Sequence, residues 1–180
     1  MKNKYDVLYE ILDFIRLCTF CFILATLFTT FVFRPVEIIG SSMEPTLEDN
    51  ERGFSNVFSM FFSDVNRFDI VVVKSKENNG EYWVKRVIGL PNETIECKNN
   101  NIYIDDKIIK QDFLPNMEDE YYTDDFEQIT LGDDEYFLMG DHRKKSYDSR
   151  YEEVGPFKKS DILSKDVYIY YPFDRIRIVE

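Results

Sequence analysis

The sequence is poor in the residues that most often build metal sites and disulfide frameworks, with one histidine and three cysteines among 180 residues. Cys18 and Cys21 fall inside an apolar N-terminal run, and Cys97 stands alone in a polar segment. This spacing fits neither a set of disulfides nor a zinc site. We therefore interpret the three thiols as structural.

Basic clusters and internal repeats are also missing. The formal net charge is -12, and no block rich in lysine and arginine interrupts it. Because phosphate binding requires a basic surface, nucleic acid is not an expected partner. Apolar residues make up 44% of the chain and charged residues 31%, which favours a packed core over global disorder. The length suits one domain plus an anchor.

One long apolar run, residues 17–33, reads LCTFCFILATLFTTFVF and carries no charge. As a helix it would span roughly 25 Å, near the short limit for crossing a bilayer. A cleaved secretory signal would have a shorter apolar core followed by a small-x-small site, and a buried soluble helix would have a polar face. Neither pattern is present, so we expect a retained single-pass membrane anchor.

The charges around this run predict its orientation. Lys2, Lys4 and Arg16 precede it, whereas only Arg34 follows it directly. An excess of positive charge marks the cytoplasmic side, so we expect the N-terminus in the cytoplasm and the rest of the chain outside the plasma membrane. The predicted divisions are a cytoplasmic N-terminus at 1–16, a transmembrane anchor at 17–33 and an extracytoplasmic β-rich domain at 34–180.

The remainder of the chain favours strands. β-branched and aromatic residues recur in short runs separated by turn residues, and Asn79-Gly80 is a strong hairpin signal. Helical periodicity is scarce, so we predict an all-β domain, antiparallel and barrel-like, after a single N-terminal transmembrane helix. Residues 115–134, rich in acids and turn formers, predict a surface loop. The predicted strands are 68–75, 81–89, 94–97, 101–104, 107–110, 135–139, 167–171 and 175–179.

The segment 54–62, FSNVFSMFF, has four aromatic residues in nine positions. Core packing is the usual explanation for such a cluster. A loop that dips into the outer lipid surface is the alternative. The sequence leaves both interpretations open.

Lys85 lies in a predicted strand, where alternate side chains share a face. Trp83 and Val87 would therefore flank it. Loss of water favours the neutral amine, and a neutral amine can act as a base. The alternative is a lysine whose ammonium reaches water, which the strand pattern alone favours. Ser42, in a Gly-Ser turn, is by itself most simply a turn former.

Three segments favour catalytic roles for Ser42 and Lys85 over these simpler interpretations. They are GSSMEPTL at 40–47, YWVKRVIGLPNE at 82–93 and MGDHRKKSYDSR at 139–150. In this order after an N-terminal anchor, they resemble the sequence boxes of bacterial type I signal peptidases, over most of 35–91 and 135–156. The resemblance implies a serine protease with a Ser/Lys dyad on an all-β fold, without metal or cofactor. Its implied partners are secreted preproteins and the lipid bilayer, and we expect a monomer.

The resemblance also assigns roles. It implies that Ser42 is the nucleophile, that Lys85 is the general base and that Ser146 orients the lysine. The backbone N–H of Ser42 would be one oxyanion donor, whereas Gly40 lacks the side-chain donor that some relatives have there. The implied supporting ion pairs are Asp148 with Arg150 and Arg86 with Asp141. The implied pocket residues are Ile38, Met43 and Trp83.

The chain departs from the family pattern at three places. His142 stands where asparagine is usual, and Phe68 stands where glycine is usual. The family pattern therefore does not predict the backbone conformation at Phe68, where a strand begins. Asn92-Glu93 replaces Gly-Asp. Asparagine tolerates a left-handed backbone and glutamate keeps the charge, so we expect this turn to survive.

The distance from the anchor to Ser42, about nine residues, reaches at most about 30 Å. The nucleophile would therefore work near the membrane surface, where a secretory signal presents its small-x-small cleavage site. Rival hypotheses are a protease with His142 as base, a self-cleaving repressor-type protease, and a non-catalytic membrane-tethered assembly factor that keeps the fold. Adjacent residues on a strand face opposite ways, so Asp141 is poorly placed to orient His142.

Overall fold

The computed structural model describes residues 4–77, 80–115 and 119–179, so the predicted turn at Asn79 lies outside the described residues. The described residues form one helix, α1 (Lys4–Phe31), and twelve strands. The strands are β1 (Phe33–Glu37), β2 (Arg52–Asn56), β3 (Ile70–Lys74), β4 (Tyr82–Gly89), β5 (Thr94–Lys98), β6 (Asn101–Ile104), β7 (Lys107–Ile108), β8 (Phe126–Thr130), β9 (Glu135–Met139), β10 (Phe157–Lys158), β11 (Ile162–Tyr171) and β12 (Arg177–Val179). Short 3₁₀ helices lie at Phe58–Phe61, Asp119–Tyr121, Lys159–Asp161 and Phe173–Arg175.

The N-terminal helix contains an apolar span, Leu8–Phe31, of 24 residues with a mean hydropathy of 2.1. At about 1.5 Å per residue it is roughly 36 Å long, enough to cross a hydrocarbon core. None of this span is buried by the described residues, which contradicts the interpretation as a buried soluble helix. The helix ends two residues before the predicted limit, because Phe33 already begins β1. Its length and apolar surface fit a membrane-anchored protein.

The strands form two antiparallel sheets, which confirms the all-β prediction. The larger sheet has eight strands in the order β1-β2-β11-β3-β4-β9-β10, with β12 paired to β11. The smaller sheet has the order β7-β6-β5-β8. Within the described strands, β1 and β10 end the order of the larger sheet and do not pair with each other, so no closed barrel is formed.

The central strands β3 and β4 are buried because both of their faces meet apolar layers. Ile70 of β3 packs below the loop that follows β1, whereas Val71 and Val73 pack with Val87 of β4 on the opposite face. A strand covered on both faces reads as a continuous apolar run rather than an alternation. A third cluster, in which Ile88 and Phe137 meet Ile95 and Ile102, joins the two sheets.

Several strands were not predicted. The segment 115–134 contains β8, so the loop prediction is wrong for Phe126–Thr130. Phe126 and Ile129 pack against the core between the sheets, whereas the residues beside them are exposed. A short outer strand with few inward residues gives only a weak alternation. Residues 116–118 of that prediction lie outside the described residues.

The aromatic segment 54–62 is largely exposed. Phe54 lies in β2, and Phe58, Phe61 and Phe62 are 50%, 65% and 76% exposed. Core packing is therefore wrong for these rings, and only Met60 packs partly against the central core. The segment adjoins the end of the helix, because the N–H groups of residues 57 and 58 donate to the carbonyl of residue 32 at 2.9 and 3.3 Å.

Candidate active site

The loop after β1 carries Ser42 and is fixed from below by apolar side chains. Met43 and Leu47 are buried in the cluster that also holds Ile70. A φ of +88° at Gly40 turns the chain into this loop, a conformation that L-residues rarely adopt. The carbonyl of Ser42 accepts a hydrogen bond from the N–H of residue 142 at 3.1 Å. The loop therefore has a fixed position against the end of β9, with Ser42 half-buried.

Lys85 lies on β4 with only 4% of its surface exposed. Its Nζ donates to Oγ of Ser146 at 3.0 Å and lies 5.6 Å from the centroid of the Trp83 ring. Burial lowers the pKa of Lys85 to about 8; nearby carboxylates, chiefly Asp148, oppose the decrease, and the Arg150 guanidinium adds to it. Desolvation penalises the ammonium more than the neutral amine. Lys85 is therefore a lysine that can lose its proton near neutral pH.

Ser146 connects this lysine to a buried ion pair. The Arg150 guanidinium binds Asp148 with two hydrogen bonds, Nε to Oδ1 at 2.8 Å and Nη2 to Oδ2 at 2.9 Å. Burial raises the pKa of Asp148, but hydrogen bonds from Arg150, Ser146 and the Gly140 N–H outweigh it and hold that pKa below its ordinary value. Because the Ser146 hydroxyl donates to this carboxylate, its oxygen is oriented to accept from Lys85.

A second buried ion pair supports β4 from the opposite face. Arg86 and Asp141 are 2% and 0% exposed, with Nη2 and Oδ2 separated by 2.8 Å. Thr46 donates to the same carboxylate oxygen at 2.5 Å, and the Arg86 guanidinium donates to the Phe68 carbonyl at 2.8 Å. The pair thus ties together β4, the loop of Ser42 and the segment after β9.

Ser42 and Lys85 line the same cavity, of about 120 Å³. Within the described residues, the Ser42 hydroxyl makes no hydrogen bond, and the Lys85 amine donates to Ser146 instead. The backbone N–H of Ser42 likewise has no acceptor there. A carbonyl oxygen entering the cavity could therefore use this donor. All three predicted pocket residues, Ile38, Met43 and Trp83, line the cavity.

A larger groove of about 710 Å³ leads to this cavity. One wall is β1 with Ile39, and the other includes residues 82–84 of β4. β1 pairs only with β2, and residues 82–85 pair only with β3, since pairing with β9 begins at Arg86. Within the described strands, both walls therefore present unpaired backbone groups. The strand order makes β1 and β4 run in the same direction, toward Ser42 and Lys85.

Gly140 is a site residue that the sequence reasoning missed. A Cβ there would lie 2.2 Å from Oγ of Ser146 and 2.4 Å from the carbonyl oxygen of Ser42, so only glycine fits between them. Thr46 and Arg143 were also missed; Arg143 is buried and donates to the Gly140 carbonyl at 3.1 Å. All three residues lie inside the sequence boxes at 40–47 and 139–150, so membership of these boxes was the signal that could have identified them.

Phe68 and Asn92, which replace the glycines usual in the family, both adopt the left-handed backbone that glycine favours. Phe68 has a φ of +73°, and its ring packs 5.3 Å from that of Phe113. Asn92 has a φ of +67°, and Glu93 forms an ion pair with Arg67 at 2.5 Å. The strand start and the turn therefore keep their shapes without glycine.

His142 is buried, and among the described residues its ring nitrogens have no hydrogen-bond partner. Its Nε2 lies 3.6 Å from a Glu120 carboxylate oxygen, and its ring lies against Tyr121. The adjacent Asp141 carboxylate is held by Arg86. The structure thus does not bring His142 and Asp141 together as a base and its orienter. In the searched, described residues no cluster of acidic, histidine or cysteine side chains could hold a metal ion.

Comparison with known proteins identifies the family of this chain. A sequence model described as signal peptidase, peptidase S26, matches residues 11–171. The chain is 38% identical to a signal peptidase I of Bacillus amyloliquefaciens, covering 98% of this chain and 96% of the relative. It is 41% identical to a signal peptidase I P of Bacillus subtilis subsp. natto, covering 93% of each. A crystal structure of a signal peptidase I from Enterococcus faecalis V583 superposes with a TM-score of 0.51 at 33% identity, covering 57% of this chain and 97% of the other.

Proposed function

The chain belongs to the signal peptidase family, peptidase S26, and we propose that it removes signal peptides from exported preproteins with Ser42 as nucleophile and Lys85 as general base. Neutral Lys85 takes the Ser42 proton as Oγ attacks the scissile carbonyl. The peptide C–N bond then breaks, and the leaving amine receives that proton. Water hydrolyses the resulting acyl-enzyme, with Lys85 again moving the proton.

The burial of Lys85 is the observation that carries this proposal. With a pKa of about 8, roughly a tenth of the amine is neutral at pH 7. A lysine with its ordinary pKa would be neutral in roughly one molecule in 2,500. The hydrogen bond to Ser146 fixes the direction of Nζ. Ser42 lines the same cavity as this amine.

The two unpaired strand edges support an extended substrate in the groove. A peptide strand inserted between β1 and residues 82–85 would satisfy backbone groups on both walls. Both walls lead from the helix end toward Ser42, so a substrate emerging from the membrane would lie parallel to them. The cavity beside Ser42, of about 120 Å³, favours a small side chain before the cleaved bond. This supports cleavage after small-x-small sequences.

Membrane anchoring brings the site to its substrate. The apolar helix would cross the plasma membrane once, with the N-terminus in the cytoplasm and residues 34–180 outside. The exposed rings of Phe58, Phe61 and Phe62 adjoin the helix end, where aromatic side chains suit the boundary between lipid and water. Ser42 would then work at the height where a signal peptide leaves the bilayer.

The test is cleavage of a purified model preprotein, with the new N-terminus of the product sequenced. Wild type should cut once, after a small-x-small site, and Ser42→Ala and Lys85→Ala should each lose at least about a thousandfold in kcat/KM. His142→Ala should retain substantial cleavage. Activity in Lys85→Ala but not in His142→Ala would remove the lysine from the mechanism. A wild type inactive in every detergent and at every pH would instead favour the non-catalytic assembly factor.

A further inference from the structure

One contact crosses the groove from wall to wall. The guanidinium carbon of Arg34, on β1, lies 5.4 Å from the ring centroid of Tyr82, on β4. These two strands are not neighbours in the sheet, so the contact bridges the gap between them. A guanidinium over an aromatic face is attracted by the ring quadrupole, although weakly where water can reach it. This contact between Arg34 and Tyr82, called the bridge below, fixes one position along the length of the groove.

The guanidinium of Arg34 places a positive charge at this level of the groove. Arg34 forms no ion pair with any residue that the structure describes. Two carboxylates also line the groove, Glu81 and Glu37, and Glu37 is paired with Arg52 at 3.0 Å. An unpaired guanidinium in a groove attracts a carboxylate and repels an ammonium.

The position of the bridge along a substrate follows from strand geometry. Arg34 precedes Ile38 by four residues on β1, and Tyr82 precedes Lys85 by three on β4. At about 3.3 Å per residue these separations are roughly 13 and 10 Å. A parallel strand with its cleaved bond at Ser42 would thus place about its fourth or fifth residue before that bond at the bridge.

We propose that Arg34, presented over Tyr82, is a specificity-determining residue that selects against lysine and arginine at the fourth or fifth residue before the cleaved bond and favours an acidic one. This inference rests on the proposed function, because it requires a preprotein strand in the groove. It concerns the choice among substrates and not the chemical step. Repulsion of the wrong residue supplies the discrimination together with attraction of the right one.

The experiment measures kcat/KM of the full-length enzyme in neutral detergent. The substrates are two series of fluorogenic peptides spanning a small-x-small site, with glutamate, glutamine or lysine at the fourth or the fifth residue before the bond. The enzymes are wild type, Arg34→Gln, Arg34→Glu and Lys107→Gln. Lys107 is an exposed residue of β7 in the smaller sheet, so Lys107→Gln removes one positive charge away from the groove.

In one of the two peptide series, the one whose varied residue lies at Arg34, wild type and Lys107→Gln should cleave the glutamate peptide about five- to tenfold faster than the lysine peptide. Arg34→Gln should bring this ratio close to one, and Arg34→Glu should invert it. An equal ratio in wild type and Arg34→Glu would overturn the inference, as would a uniform change for all peptides, which a role in folding or lipid binding would produce. Failure of wild type to cleave even the glutamine peptides would contradict the proposed function, and the inference with it.

Discussion

At the scale of single residues, the burial of Lys85 has a cost in stability, and the same burial supports its proposed role as a general base. Its pKa is about 8 in the folded protein and ordinary in the unfolded chain. Below pH 8 both states carry the charge, so the full cost of burying it is present. Between pH 8 and about 10.5 the folded protein loses the proton first, the unfolded chain binds more protons, and the free energy of unfolding rises with pH.

We therefore predict that Lys85→Met stabilises the protein at pH 7 while it abolishes cleavage. Methionine fills a similar volume without a charge to desolvate, and the gain should be about 2 kcal/mol. Urea unfolding at pH 7 measures this difference, and it should shrink as the pH approaches 10. Lower stability of Lys85→Met at pH 7 would contradict the claim that this charge is buried at a cost.

The same pKa predicts the pH dependence of cleavage. kcat/KM for a short peptide should rise about tenfold per pH unit below pH 8 and level off above it, because only the neutral amine acts as a base. A pH series from 6 to 9.5 on wild type and His142→Ala tests this, and both profiles should coincide. An inflection that is present in wild type and disappears in His142→Ala would point to the histidine.

At the scale of elements, the end of β9 positions both halves of the site. Gly140 follows this strand directly and lies against the Ser42 carbonyl and the Ser146 hydroxyl. Because one added methyl group would push these two apart, Gly140→Ala should reduce kcat/KM at least about a hundredfold.

Gly132→Ala is the matched control for this prediction. A Cβ at Gly132 would meet only the side chain of Glu135, at 3.2 Å, which can move away. Peptide cleavage and circular dichroism of both variants separate loss of the site from loss of the fold. Near-normal activity of Gly140→Ala would show that the contact between the Ser42 loop and Ser146 is not needed.

At the scale of the whole molecule, the proposed membrane helix and the exposed rings beside it would define which end of the domain meets lipid. Phe61 and Phe62 adjoin the helix end, whereas Phe173, equally exposed at 77%, lies beyond Tyr171, which pairs with Arg52 at the opposite end of the sheet. F61S/F62S should therefore cleave a short peptide in detergent normally but lose about tenfold on a preprotein in proteoliposomes.

Phe173→Ser provides the control, because it removes an equally exposed ring from the far end. It should behave like wild type in both assays. Equal losses in proteoliposomes for Phe173→Ser and F61S/F62S would mean that exposed aromatic area in general, and not its place beside the helix, determines membrane activity.

Much of the fold could be predicted because its signals are local. β3 is a run of valine and isoleucine, β4 is rich in β-branched and aromatic residues, and β6 and β9 have the predicted limits. The prediction missed β1, β2 and β8, because each is stabilised by pairing with a strand that is distant in sequence. β1 pairs with β2, and β8 pairs with the edge of β5. Local composition carries little of that information.

The sequence by itself determined the apolar N-terminal helix, the β-rich class and, through three ordered boxes, the candidates Ser42, Lys85 and Ser146. Strand alternation left Lys85 undecided between a solvated ammonium and a buried amine. Only the tertiary structure decided this, since burial by residues far along the chain and the hydrogen bond to Ser146 set its pKa. The left-handed Phe68 and the two unpaired strand edges were likewise decided there, because both depend on which strands become neighbours.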